Sequence, residues 1–109
     1  MHELAITESL VSAVCERVGD VKVSRVRLVV GKLSGVVPDA VQFCFEICAK
    51  GTPLEGARLE IDEIAARAHC RECDLESVIE DSIPLCPCGS PNVALLSGQE
   101  LRIKEVEVS

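Results

Sequence analysis

Four cysteines in one short stretch constrain this chain more than any other feature of its sequence. They form two close pairs, Cys-Arg-Glu-Cys and Cys-Pro-Cys, with twelve residues between the pairs, at Cys70, Cys73, Cys86 and Cys88. Each pair can place two thiolates on one ion, and the connecting residues can fold back to bring the second pair to the same ion. The pattern therefore predicts a tetrahedral four-thiolate site, with zinc–sulfur distances of about 2.3 Å.

The spacing leaves the metal open between zinc and iron, because tetrahedral sulfur sites suit both. Zinc would make the segment a zinc-ribbon module, and iron would make the protein a rubredoxin-like redox protein. Four protein ligands leave no position for water or substrate, so either metal is expected to be structural. His69 directly precedes Cys70 and is either a solvated residue or a spare ligand.

Length and composition predict one small domain of 109 residues with no affinity for nucleic acids or membranes. The net charge of -7 and only two aromatic residues argue against nucleic-acid binding, which needs basic groups for phosphate and rings for stacking. The apolar runs are too short to span a bilayer, and the N-terminus lacks the basic start of a secretory signal. The odd number of seven cysteines does not suit a disulfide framework. We therefore expect a soluble, cytoplasmic protein.

The spacing of apolar residues predicts an α+β fold. We expect helices over residues 3–18 and 38–50 and strands over 22–30, 57–62 and 101–108, the last with a bulge near Lys104–Glu105. The strand–helix–strand unit should place its strands in parallel, and the final strand should add antiparallel. The result is a small three-stranded mixed sheet with two helices, formed by residues 1–66 and 97–109. The cysteine pairs then lie in an inserted zinc-binding module over residues 67–96.

The second helix is apolar almost all round, so it is expected to be the central core helix, with Gly51 as its C-terminal cap. Cys44 and Cys48 on this helix, and Cys15 on the first, are expected to be small buried residues rather than a second metal site. No paired carboxylates, catalytic triad or phosphate-binding glycine loop is present. The sequence therefore does not predict an enzyme.

The N-terminus, Met1-His2-Glu3, contains a potential nickel chelate. The α-amine, the deprotonated amide of His2 and the His2 imidazole can form two adjacent chelate rings in one plane, and Glu3 can supply a fourth donor. A square-planar, nitrogen-rich set suits Ni(II) or Cu(II). Taken alone, however, an N-terminal histidine is more often a solvated residue.

The chain resembles the HypA/HybF family of hydrogenase maturation proteins, the nickel metallochaperones, nearly from end to end. The similar segments are Met-His-Glu-Leu-Ala-Ile-Thr at 1–7, Val-Gly-Lys-Leu-Ser-Gly-Val at 30–36, Cys-Arg-Glu-Cys at 70–73, Cys-Pro-Cys-Gly-Ser at 86–90 and Ser-Gly-Gln-Glu-Leu-Arg-Ile-Lys at 97–104. The resemblance implies that His2 binds Ni(II), assisted by Met1 and Glu3, and that the four paired cysteines hold a structural zinc. It also implies two partners, a HypB-type GTPase and the large subunit of a [NiFe]-hydrogenase.

One pair departs from the family pattern, which usually has Cys-x-x-Cys twice. The Cys-Pro-Cys at 86–88 is one residue shorter, so we expect it to lose the turn in which backbone N–H groups bond to the sulfurs. Either the geometry is then strained or a ligand is exchanged, and His69 is the first substitute.

Two hypotheses follow from the sequence. The first is a nickel metallochaperone that is a monomer or a weak homodimer. The second is a zinc-ribbon adaptor or a rubredoxin-like iron protein with an incidental N-terminus.

Overall fold

The computed structural model describes residues 2–80 and 84–109. Within these residues the chain forms two helices and six strands. In chain order they are α1 (Glu3–Val18), β1 (Val23–Gly31), α2 (Pro38–Cys48), β2 (Arg58–Ile64), β3 (Ala66–Cys70), β4 (Glu76–Ile79), β5 (Val93–Ser97) and β6 (Leu101–Val108). No helix in these ranges is long and apolar enough to cross a membrane.

The first sheet has the strand order β2-β1-β6 and is mixed, as predicted. Strands β1 and β2 are parallel, and β6 runs antiparallel to β1. Arg27 pairs with Glu105 and the next residue, Leu28, pairs with Ile103, so Lys104 is the extra residue of a bulge. The α+β fold class and the predicted bulge are both confirmed.

Both helices cover one face of this sheet and bury a single core with it. That core comprises Leu10, Val11, Val14, Val23, Val26, Leu28, Val30, Val36, Val41, Phe45, Ala49, Leu54 and Leu59. The opposite face is charged: Arg25 contacts Glu60 at 2.7 Å and Glu107 at 3.0 Å, and Arg27 lies 3.4 Å from Glu105. The hydrogen bond from Arg25 lowers the pKa of Glu60. These ion pairs are compatible with a face that meets solvent rather than a second layer.

Two details of α2 differ from the sequence-based prediction. It is not buried all round, since Val41 and Phe45 are buried whereas Phe43 is 67% exposed and Ile47 is 50% exposed. With one layer of helices on a three-stranded sheet, nothing in the described chain covers the outer side of α2. The helix also ends earlier, with Ala49 as its C-cap, and Gly51 lies in the following turn at a φ of 77°.

The cysteine segment contains a sheet of its own, which the sequence analysis did not predict. Strands β4, β3 and β5 form an antiparallel sheet with the order β4-β3-β5. Its small core is formed by Ala66, Ala68 and Ile79, with Leu33 packed against it from the first half of the chain. The alternation along β3 is easily missed, because two of its three buried residues are alanines, which are depleted in strands.

Two glycines cross where the sheets join. A Cβ on Gly31 would lie 2.2 Å from the carbonyl carbon of Gly98, and a Cβ on Gly98 would lie 2.6 Å from the Cα of Ala66. Backbone hydrogen bonds fix the crossing: Gly31 N–H donates to Glu100 O at 2.7 Å, and Leu33 N–H donates to Gly98 O at 2.7 Å. The segments 30–36 and 97–104 thus meet at the junction of the two sheets.

Candidate metal centre

The structure brings the four paired cysteines together at one end of the second sheet. The Sγ atoms of Cys70 and Cys88 are 3.8 Å apart, those of Cys73 and Cys86 are 3.5 Å apart, and all four lie within 4.8 Å of one another. A tetrahedron with zinc–sulfur bonds of about 2.3 Å has sulfur–sulfur edges of about 3.8 Å. The donor set and its spacing therefore fit one zinc ion.

The first pair lies at the end of β3, in a turn that directs both sulfurs to the same side. Asp74 N–H donates to Cys70 O at 2.9 Å, and Cys70 N–H donates to Leu75 O at 2.8 Å. The N–H of Cys73 points at the sulfur of Cys70 at 3.4 Å. Asp74 closes the turn with a φ of 63°, a left-handed conformation that Asp tolerates better than most residues.

The second pair keeps its N–H···S contact, contrary to the expectation from its shorter spacing. Cys88 N–H lies 3.5 Å from the sulfur of Cys86, and Gly89 N–H donates to Cys86 O at 2.8 Å. Gly89 has a φ of 92°, which lets the chain turn back so that Cys86 N–H reaches Ser90 O at 3.0 Å. Both thiols of the Cys-Pro-Cys pair consequently face the first pair.

His69 is not among the side chains that converge on this cluster. Its Nε2 instead lies 2.8 Å from Oδ1 of Asp74. Among the residues that the structure describes, the only group of three or more potential metal ligands consists of the four cysteines. The structure therefore gives no support to His69 as a substitute ligand. The role of Asp74 as its partner was not foreseen from the sequence.

The environments of Cys70 and Cys86 differ, and they shift the pKa values of the two thiols in opposite directions. The backbone N–H of Cys73, with that of Glu72, stabilises the Cys70 thiolate and lowers its pKa to about 6. At Cys86 the N–H of Cys88 favours the thiolate, but burial and hydrogen bonds with the neighbouring thiols oppose it and raise the pKa to about 12. A metal ion must therefore displace protons from this cluster, and its binding should weaken as the pH falls.

The predicted nickel ligands lie at the start of α1. His2 is exposed and immediately precedes the helix, whose first hydrogen bond runs from Ile6 N–H to His2 O at 3.1 Å. An oxygen of the Glu3 carboxylate accepts the N–H of Val37 at 3.1 Å, and this bond lowers the pKa of Glu3. Met1 lies outside the described residues.

The remaining cysteines are half-buried in the helix layer. Cys15 and Cys48 pack against the main core, and burial raises the pKa of the Cys48 thiol. Cys15 and Cys48 thus pack against the core as expected, but they are half-buried rather than buried.

The whole chain matches a known protein family. Residues 1–108 match the family model described as hydrogenase/urease nickel incorporation, metallochaperone, hypA. A hydrogenase maturation factor HypA from a Nostoc species is 53% identical over 108 residues, covering 99% of this chain and 96% of the relative. The corresponding factor from Geotalea uraniireducens is 48% identical over 109 residues, covering 99% of each chain.

Solved structures support the fold. The solution structure of the Ni metallochaperone HypA from Helicobacter pylori aligns with a TM-score of 0.64 at 22% identity, covering 99% of this chain and 97% of that one. A second solution structure of a HypA protein aligns with a TM-score of 0.68 at 23% identity, covering 100% of this chain and 97% of that one. The family match over nearly the whole length and the shared fold confirm the resemblance read from the sequence, and this chain belongs to the HypA family of nickel-incorporation metallochaperones.

Proposed function

We propose that this protein binds Ni(II) at its N-terminus and delivers it to the large subunit of a [NiFe]-hydrogenase during maturation. The family match carries this proposal, because it covers the N-terminal Met-His-Glu and the cysteine cluster in one alignment of residues 1–108. A metallochaperone transfers an ion without chemical turnover, which agrees with a sequence that contains no catalytic constellation.

The proposed nickel ligands are His2, the α-amine of Met1 and a donor from Glu3. The exposed position of His2 supports this, since an ion can approach the imidazole without any rearrangement of the fold. The peptide nitrogen of His2 lies ahead of the helix, whose hydrogen bonds start with Ile6 as donor, so metal binding there leaves the helical ladder intact. The carboxylate of Glu3 already accepts a hydrogen bond from Val37, which favours the backbone of Glu3 over its side chain as the donor.

For the cysteine cluster we propose one structural Zn(II), held by Cys70, Cys73, Cys86 and Cys88. The sulfur–sulfur spacing supports one tetrahedral metal ion, and four protein ligands leave no open position for chemistry. We propose that residues 67–96 fold as a module around this ion, while residues 1–66 and 97–109 form the nickel-binding part. Zinc is favoured over iron by membership of a nickel-incorporation family, whose function requires no electron transfer.

The proposed partners are a HypB-type GTPase, which would act with this protein in nickel delivery, and the hydrogenase large subunit as acceptor. We expect the protein to act in the cytoplasm as a monomer or a weak homodimer. Its relatives from the Nostoc species and from Geotalea uraniireducens are hydrogenase maturation factors, which supports a hydrogenase subunit as the acceptor.

The nickel site is tested by His2→Ala and by an N-terminal extension of a few residues, measured by isothermal titration of untagged, zinc-loaded protein with Ni(II). We expect His2→Ala to abolish tight nickel binding and the extension to weaken it, because an extension converts the α-amine into an amide. Zinc content and circular dichroism should stay unchanged, since a side chain ahead of the first helix contributes little packing. Nickel affinity should fall as the pH drops, since the ligands must be deprotonated.

Two controls show whether a loss of nickel binding comes from the N-terminal ligands themselves. Intact mass must first establish that the purified chain begins at Met1, and a C-terminal extension of the same length should leave nickel affinity unchanged. The His2→Ala variant should also fail to restore hydrogenase activity in a strain that lacks the protein. Equal nickel affinity in the native and N-terminally extended proteins would rule out the amine as a ligand, and equal affinity in His2→Ala would refute the site.

A further inference from the structure

An open apolar groove runs between α1 and the edge strand β6. It consists of two adjoining sections of about 450 and 430 Å³ that share Ile103. The α1 wall repeats at helical spacing, from Ala5 and Ser9 to Ala13 and Arg17. The β6 wall runs from Leu101 to Val106.

The two walls have matching lengths. Residues 5–18 of α1 span about 20 Å at the rise of a helix, and residues 101–106 of β6 span about 17 Å at the rise of a strand. This length accommodates five or six residues of extended chain. The groove therefore has the dimensions of a short strand rather than of a compact small molecule.

The strand wall also offers backbone hydrogen bonds. Within the described part of the chain, β6 pairs only with β1, so the N–H and C=O groups on its other side point away from the sheet. The opposite edge of the same sheet differs, because the side-chain amide of Gln42 on α2 donates to Leu59 O of β2 at 2.7 Å. An unpaired edge beside an apolar groove suits the addition of a peptide strand.

The charged residues that line the groove indicate the charge of the segment that would bind there. Arg17 and Arg102 line the groove, and neither makes an ion pair with any residue that the structure describes, although the chain carries a net charge of -7. The acidic lining residue Glu105 is already paired with Arg25 at 3.3 Å and with Arg27 at 3.4 Å. Acidic side chains on the face of an incoming strand that points away from α1 would pair with Arg102.

A second copy of this chain fits the edge poorly. A twofold axis between two antiparallel strands places one residue opposite itself, and centring that axis on Lys104 or Glu105 opposes two like charges. Centring it on Ile103 opposes Arg102 to Lys104, and centring it on Val106 opposes Glu105 to Glu107. Centring it on Arg102 opposes two arginines, and centring it on Leu101, the first residue of β6, leaves no other pair of β6 residues across the axis. Like charges directly across a sheet are destabilising.

We propose that the groove between α1 and β6 binds an extended acidic segment of a partner protein, which adds as a fourth strand to the first sheet. Alternate apolar side chains of the segment pack beneath α1, and its carboxylates, which point to the opposite face of the sheet, meet Arg102. The end of the groove at Ala5 and Leu101 lies one helical turn from His2, so a segment seated there leads towards the nickel ligands, a role that rests on the function proposed above.

The probe is a capped, fluorescein-labelled octapeptide of alternating valine and glutamate, titrated by fluorescence anisotropy with nickel-free, zinc-loaded full-length protein. We expect saturable binding with a dissociation constant below about 1 mM. Two control peptides should each bind at least about tenfold more weakly. The peptide with every second amide N-methylated lacks N–H donors for strand pairing, and the peptide with lysine in place of glutamate repels the arginines.

Matched variants locate the binding site. Ser9→Trp fills the groove from an exposed helix position and should weaken binding at least about tenfold, whereas Ser12→Trp, at an exposed position outside the groove, should not. Arg102→Glu should weaken binding several-fold, and Arg58→Glu on the opposite edge strand should leave it within about twofold.

Three results would overturn the proposal: no saturable binding, equal affinity in Ser9→Trp and Ser12→Trp, or amide NMR shifts confined to the exposed side of α2. Loss of a protein dimer in Ser9→Trp, seen by sedimentation, would assign the groove to a second copy instead. Nickel affinity is measured separately on the same variants. Failure of the nickel site therefore leaves the peptide result intact, and failure of peptide binding leaves the nickel site intact.

Discussion

Replacing Gly31 with alanine should separate the two sheets, because the added methyl group has no room at the crossing. Its carbon would lie 2.2 Å from both the carbonyl carbon and the oxygen of Gly98 and 2.5 Å from the nitrogen of Gln99, against an ordinary contact of 3.4–4 Å. All three neighbours are backbone atoms, so no side chain can rotate away. One of the crossing segments must therefore shift by about 1 Å.

The magnitude follows from what the shift breaks. It lengthens two backbone hydrogen bonds of 2.7 Å, from Gly31 N–H to Glu100 O and from Leu33 N–H to Gly98 O. Each is worth about 1 kcal/mol, and overpacking of a tight site adds about 1–3 kcal/mol. A loss of about 4 kcal/mol is a large part of the total stability of about 5–15 kcal/mol that a domain of this size has.

Gly51→Ala is the matched control. A Cβ at Gly51 meets nothing within 4 Å, but its φ of 77° strains any side chain, whereas the φ of Gly31 is not positive. The control therefore measures backbone strain of about 1–2 kcal/mol without overlap. Both substitutions lower the conformational entropy of the unfolded chain equally, so this contribution to stability cancels between the two variants.

Urea unfolding of the zinc-loaded proteins, followed by far-ultraviolet circular dichroism, gives the comparison, because the chain has no Trp or Tyr for fluorescence. We expect Gly31→Ala to unfold at a clearly lower urea concentration than Gly51→Ala. If the two variants share one midpoint, the glycine crossing is not the tight contact described here and the reasoning fails.

Two further predictions concern the metal centre and the start of α1. Chelation of the metal, or the double variant Cys70→Ser/Cys86→Ser, should leave the amide NMR signals of the first sheet dispersed but should collapse the dispersion of those of β3–β5. The reason is that metal binding supplies the folding free energy of so small a core. Retention of zinc in the double variant would contradict the ligand set. Glu3→Gln should lower the urea midpoint at neutral pH but not in acid. Folding lowers the pKa of the Glu3 carboxyl, so the ionised carboxylate stabilises the fold at pH values above the ordinary carboxyl pKa. This stabilisation is lost as the pH falls through the lowered pKa of the folded protein. An equal difference between wild type and Glu3→Gln at both pH values would refute that linkage.

Much of the architecture could be predicted from local patterns. The helical spacing of α1 up to Gly19, the position of Pro38 at the start of α2 and the alternation of β1 each report on which side of an element faces the core. The change of phase after Ile103 predicted the bulge at Lys104, since a period of two residues cannot shift without an extra residue. The cysteine spacing likewise predicted a four-thiol cluster, because ligand number and reach are properties of the chain itself.

The tertiary structure decided what depends on contacts between distant segments. The sequence could not reveal that the outer side of α2 stays exposed, because the presence of an apolar residue does not show whether another layer covers it. Nor could it show that the N–H of Cys88 still reaches the sulfur of Cys86, which depends on how Gly89 closes the loop. The crossing of Gly31 with Gly98, and the groove between α1 and β6, exist only once segments about seventy to a hundred residues apart in the chain are packed together.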